Sequence, residues 1–292
     1  MPDTAESQPI ATTRLVVTPD TVTVRDGRPP LSLLVHEGGA HADITVFLCH
    51  GSGGNKNQWR HQWAALVKAG VRIVAWDFVG HGQSPQPRDR AAYEGSHLVA
   101  DYRQILDSYG PPDGQGRVIL AGHSYGCRLT LSLLQGLAAE GRLDRVAAAL
   151  LLGPPSPAAQ LGANPLGWLP PFILEWIRPI ISAKFRALAW HPDTDAALLA
   201  FEEQATKGNS LFMMKALMSQ AAHPDPAALS ALTLPITVVA GANDGLTPPA
   251  GARDLARHLP NATYVELERC GHQIMLEKPA ETNALLLGLV NG

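Results

Sequence analysis

Three short segments carry the residue types with the most chemical reach. Gly122-His123-Ser124-Tyr125-Gly126 follows an apolar run, Val118–Ala121, and precedes leucines at 129, 133, 134 and 137, a helical spacing. Glycines at both ends let the chain turn sharply from strand to helix, which projects the Ser124 oxygen at the tip of the turn. The amide of Tyr125 then lies at a helix N-terminus, where unpaired N–H groups and the helix dipole favour an oxyanion. A nucleophilic serine needs a base, and the base needs an orienting acid. His272 lies in Arg269-Cys270-Gly271-His272 and Asp244 in Gly241-Ala242-Asn243-Asp244-Gly245, each just after a strand-like run. All three groups therefore fall at carboxyl ends of strands. The bland reading of His272 is a surface loop histidine, and that of Asp244 is a side chain closing an Asx turn. A rival acid after Leu152 has no candidate, because Gly153-Pro154-Pro155-Ser156 offers no carboxylate.

An oxyanion site needs a second donor, and His50-Gly51-Ser52-Gly53-Gly54 suits that role. Its glycines permit close approach of backbone to substrate, and the amide of Ser52, or else that of Gly53, can point into a crevice. A phosphate loop fits poorly, since no lysine follows a glycine at the required spacing and position 56 is Lys.

The elements that must position these groups can be read from hydrophobic patterning. Leu15–Thr18, Val22–Val24 and Leu31–Val35 are short runs broken by Pro19-Asp20 and Asp26-Gly27, which predicts an antiparallel start to a sheet. Ile44–Cys49, Val71–Trp76, Val118–Ala121, Val146–Leu152, Ile236–Ala240 and Thr263–Leu267 read as strands covered on both faces. Helices are predicted at Gln58–Ala69, Ser96–Ser108, Tyr125–Ala139, Pro249–His258 and Pro279–Val290. The alternation predicts an α/β fold with a mostly parallel sheet between two helical layers. Residues 154–226 break the rhythm, with helical character and large apolar side chains almost all round. They are expected to form a cap inserted into a core of residues 1–153 and 227–292, over the ligand crevice.

Composition limits the alternatives. The 292 residues are 46% hydrophobic and 17% charged, with a net charge of −3. Such a chain can bury a large core, and it lacks the basic surface that nucleic-acid binding requires. Gly 27 and Pro 24 point to many tight loops rather than long helices. Cys49, Cys127 and Cys270 are odd in number and widely spaced, which fits small buried residues better than disulfides or a zinc site. The first fourteen residues carry acids and no apolar centre, and no run approaches the ~18–20 apolar residues of a membrane span. A soluble, cytoplasmic protein without metal or cofactor is expected.

Taken with Asp77-Phe78-Val79-Gly80-His81-Gly82-Gln83-Ser84, these motifs resemble the α/β-hydrolase superfamily, in its capped branch of serine esterases, lipases and carbon–carbon bond hydrolases. The resemblance runs over residues ~44–290 and rests on the order HGSGG, DFVGHGQS, GHSYG, GANDG and CGH. It implies an eight-stranded mostly parallel sheet, Ser124 as nucleophile, His272 as base and Asp244 as its partner, with His81 and His123 structural. Relatives that open epoxides or remove halides carry an aspartate where this chain has Ser124, and epoxide openers place tyrosines in the cap, where residues 154–226 have none.

A serine directs the chemistry to acyl transfer, with a small-molecule ester or lipid-like substrate and an oxyanion held by the amides of Tyr125 and Ser52. Trp168, Phe172 and Trp176, with Met213 and Met214, are the candidate apolar wall for the acyl group; ordinary packing of the cap is the alternative. Three other functions stay open. Carbon–carbon cleavage of a ring-fission product is weakened because those enzymes usually carry a proline at the position of Gly54. A ligand-binding protein on a hydrolase scaffold would not need an intact triad. A perhydrolase side activity is compatible with the same residues.

Overall fold

The computed structural model describes residues 20–112, 115–157, 180 and 182–292. Eight strands form one sheet: β1 (Asp20–Val22), β2 (Leu31–His36), β3 (His41–Cys49), β4 (Val71–Trp76), β5 (Arg117–His123), β6 (Ala148–Leu152), β7 (Ile236–Gly241) and β8 (Ala262–Leu267). Their order across the sheet is β1-β2-β4-β3-β5-β6-β7-β8. β2 runs antiparallel to both β1 and β4, and every later pair is parallel. The predicted strand Leu15–Thr18 lies outside the described residues.

Strand periodicity explains the two cores. Along β3, Phe47 and Cys49 enter one apolar cluster, while Ile44, Val46 and Leu48 enter the other. On the first face pack α2 (Gly95–Tyr109) and α3 (Tyr125–Ala139), with Pro249–His258 beside them. The second face is covered by α1 (Arg60–Ala69) and by Pro279–Asn291, through Trp63, Leu66, Leu286 and Val290. Each fully buried side chain of this size contributes roughly 1.5–3 kcal/mol of hydrophobic stabilisation.

The predicted helix at Gln58–Ala69 is in two parts. A 3₁₀ turn, Lys56–Trp59, is capped by the Asn55 side chain and leads into α1. β6 begins at Ala148 rather than Val146, because Val146 instead caps the 3₁₀ turn Leu143–Arg145. Within 154–226, residues 182–189 are helical, followed by helices Ala196–Thr206 and Leu211–Ser219. Among the described residues no helix is long and apolar enough to cross a membrane.

β3 lies between β4 and β5, so the chain reverses its direction of travel across the sheet there. In open α/β sheets such a switch point opens a crevice at the carboxyl ends of the strands. Buried polar groups shape the loops at that edge. Asp77, just after β4, accepts from the backbone N–H of Lys56 (2.7 Å) and of Gln83 (2.9 Å). The Lys56 ammonium meets Asp77 Oδ2 at 2.5 Å and also donates to Ser32 Oγ and Gln83 Oε1. Both partners of this ion pair are buried. His50 Nε2 accepts from Phe78 N–H, and His81 Nε2 accepts from Gly53 N–H at 3.0 Å. Two loops that follow different strands are thereby locked together.

Removing one member of a buried ion pair leaves an uncompensated charge. Asp77→Ala is expected to cost about 3–5 kcal/mol of unfolding free energy, seen as a lower denaturation midpoint; a midpoint equal to wild type would remove the pair from this role. The buried histidines set a second expectation. Burial lowers His61 and His81 from 6.5 to about 4 and His123 to about 3, and lowers His50 well below its ordinary value. The unfolded chain takes up protons near 6.5 while the folded chain resists them. Their stabilising contribution is therefore complete above pH 6.5 and is lost as pH falls toward 4. Thermal midpoints measured from pH 7.5 to 4 should fall through that window, and less steeply in His81→Gln.

Candidate active site

The turn around Ser124 is built from close packing. Ser124 has φ 52° and ψ −115°, a left-handed backbone for a residue with a side chain. Its amide donates to Leu152 O at 2.8 Å, tying the turn to the end of β6, and its carbonyl accepts from Cys127 N–H. A methyl at position 126 would overlap the carbonyl oxygens of Cys49 and His50, and one at 122 would press on Thr130 and the backbone of α3. Only glycine lets strand, turn and helix approach so closely. Tyr125 opens α3, and among the described residues its amide has no hydrogen-bond partner.

Asp244 and His272 come together at the ends of β7 and β8. His272 Nδ1 lies 2.6 Å from Asp244 Oδ2, and both side chains are buried. The Asx turn and the orienting acid are the same residue. Oδ1 accepts from the N–H groups of Leu246 and Thr247 at 2.8 Å each, leaving Oδ2 to face the imidazole. Burial alone would raise the Asp244 carboxyl; His272 and the Thr247 donors outweigh it and hold it below its ordinary value. Thr247 Oγ1 also approaches His272 Nδ1 (3.0 Å), Asp244 Oδ2 (2.7 Å) and Gly153 O (3.0 Å).

Ser124 is linked to this pair through its neighbours. The neighbouring His123 ring is 4.8 Å from that of His272, and His123 Nε2 donates to the His272 carbonyl. Gly153, one residue beyond the Leu152 that holds Ser124, lies against both His272 and Asp244.

The loop after β3 divides its amides. Gly53 N–H is occupied by His81, which removes Gly53 from the candidate oxyanion donors. Ser52 N–H, like that of Tyr125, has no partner among the described residues.

The expected apolar wall is only partly visible. Trp168, Phe172 and Trp176 lie outside the described residues. Met213 is fully buried against Gly80 and Tyr93, so it fills the core and does not face a crevice. Met214, one residue on, lies against Gly53 at the lip of the loop, where Asn209 Nδ2 donates to Gly53 O at 2.5 Å.

Two contributors escaped the sequence reading. Glu277 gathers the N–H groups of His191, Gly271 and Gln273 and the Thr194 hydroxyl, fixing the loop that carries His272. Thr247 is the other. Its place three residues after an Asx-turn aspartate was a readable signal, since that spacing returns residue 247 to the carboxylate.

Comparison with known proteins agrees with this architecture. The mouse protein ABHD8 is 32% identical over 256 residues, covering 85% of this chain and 55% of its own length. The chain thus spans about half the length of that relative. RutD of Variovorax paradoxus, which bears the name of a carbamate hydrolase, is 30% identical over 274 residues, covering 88% of this chain and 95% of RutD. The crystal structure of an esterase, RhEst1 from Rhodococcus, superposes with a TM-score of 0.75 at 22% identity, covering 94% of this chain and 99% of that one, a likeness of fold. A profile of the alpha/beta hydrolase family matches residues 46–285. With the eight-stranded sheet and the site at its carboxyl edge, the chain belongs to the alpha/beta hydrolase family.

Proposed function

We propose that the chain is a serine hydrolase that cleaves carboxylic esters of apolar or lipid-like substrates through an acyl-enzyme on Ser124. One observation carries the reading: a buried Asp244–His272 pair packs against Gly153, next to the Leu152 carbonyl that holds Ser124, a serine in left-handed backbone whose following amide has no partner among the described residues. In this reading His272 Nε2 takes the Ser124 proton as Oγ bonds to the substrate carbonyl carbon. The carbonyl oxygen becomes an oxyanion between the amides of Tyr125 and Ser52. The C–O bond to the alcohol then breaks, and His272 returns its proton to the departing alcohol. Water repeats the sequence on the acyl-enzyme, releasing the acid and restoring Ser124.

Asp244 keeps the proton of neutral His272 on Nδ1, so that Nε2 faces the serine with a lone pair. Residues 154–226 are read as a cap over this crevice. Two contacts support that reading: Arg60 pairs with Glu202 at 2.8 Å, both buried, and Asn209 bonds to the Gly53 loop. Met214 at the lip supports an apolar acyl group. A carbamate substrate is the second reading, favoured by the likeness to RutD over nearly its full length. The same serine would attack a carbamate carbonyl.

Nitrophenyl esters of two to sixteen acyl carbons test the proposal, assayed beside nitrophenyl carbamates. Wild-type turnover should persist with chain length and fall on the order of 10⁶-fold in Ser124→Ala. Turnover unchanged in that variant would sink the serine mechanism. Activity confined to short acyl chains would assign the apolar side chains of 154–226 to packing, and faster carbamate cleavage would favour the second reading.

A further inference from the structure

The Asp244–His272 pair has a third polar atom within reach that the acyl-transfer scheme leaves unused. Thr247 Oγ1, Asp244 Oδ2 and His272 Nδ1 form a triangle with sides of 2.6, 2.7 and 3.0 Å, and Gly153 O lies 3.0 Å from the hydroxyl on its other side. Resting on the serine-hydrolase reading, we infer that the Thr247 hydroxyl is a positioning group for His272, turning between two acceptors as the imidazole gains and loses its proton.

Two hydrogens serve this triangle: the one on His272 Nδ1 and the one on Thr247 Oγ1. Asp244 Oδ1 is already occupied by two backbone N–H groups, so Oδ2 must meet the imidazole alone or with the hydroxyl. While His272 is neutral, the hydroxyl donates to Oδ2 and helps hold the buried carboxylate charge. When His272 takes the Ser124 proton on Nε2, its Nδ1–H becomes a stronger, charge-assisted donor. The hydroxyl can then turn its hydrogen to Gly153 O and present a lone pair to Nδ1–H. The Nδ1–H of the imidazolium is then shared between two oxygens, Asp244 Oδ2 and Thr247 Oγ1. Thr247 itself neither gains nor loses a proton.

A purely structural role explains this arrangement less well. The Asx turn is closed by the backbone N–H of Leu246, with that of Thr247 donating to the same oxygen, and so does not need the hydroxyl. Valine would preserve the volume, the β-branch and the turn. Its loss is confined to one O–H group at a buried, charged site, where hydrogen bonds are strongest.

The test compares wild type with Thr247→Val, Thr247→Ser and Thr247→Ala on one nitrophenyl ester, with thermal midpoints measured alongside. Ser124→Ala serves as the control. The expected result is a kcat about tenfold lower in Thr247→Val and Thr247→Ala, KM within about twofold of wild type, and recovery of most of kcat in Thr247→Ser. Should Thr247→Val fail to fold, the serine and alanine variants still differ by the hydroxyl alone. A wild-type kcat in Thr247→Val, or equal losses in the serine and alanine variants, would overturn the inference while leaving the serine mechanism intact. Turnover that survives Ser124→Ala would overturn both.

Discussion

The backbone at Ser124 is the constraint on which the site depends. A left-handed conformation for a residue with a side chain costs of order 1–3 kcal/mol and persists only where its surroundings over-determine it. Here the surroundings do so from several directions. β5 ends in His123 between β3 and β6, the Ser124 amide is tied to Leu152, and α3 presses onto the backbone of Cys49 and His50 through Gly126. The strain lifts the serine out of the sheet and leaves the Tyr125 amide unpaired at a helix start. In the proposed mechanism this one turn supplies both the nucleophile and an oxyanion donor, and the parallel sheet holds it in place.

Around it, carboxylates that take no part in bond making hold the groups that would. Asp77 binds Lys56 and two backbone amides, joining the loop after β3 to the loop after β4. Glu277 gathers three backbone amides around His272. His81 takes the Gly53 amide, while the Ser52 amide beside it has no partner among the described residues. Each is a local electrostatic choice with a consequence at the site, because a donor already satisfied cannot also serve an oxyanion.

Much of the fold was legible because the strands are buried on both faces. Continuous apolar runs such as Ile44–Cys49 and Val71–Trp76 need little context, and the helix at Tyr125–Ala139 falls where its leucine spacing places it. Ser124, Asp244 and His272 could be chosen because their segments follow strands and so share an edge. What the sequence did not reveal depends on tertiary approach. Lys56 looked like a lysine at the wrong spacing for a phosphate loop; its partner Asp77 is 21 residues away and meets it only when β3 and β4 pair. Gly53 and Ser52 are equivalent on paper until His81 takes one amide. Met213 and Met214 differ only in which side of one helix they occupy, and one sits in the core while the other borders the loop.

The most direct test of the central claim is covalent labelling of the native protein with a fluorophosphonate, followed by mass mapping of the labelled peptide. Such reagents capture an activated serine rather than an ordinary hydroxyl. One adduct per chain is expected, located on Ser124, absent in Ser124→Ala and formed far more slowly in His272→Ala. Absence of an adduct, an adduct on another residue, or labelling equally fast without His272 would contradict it.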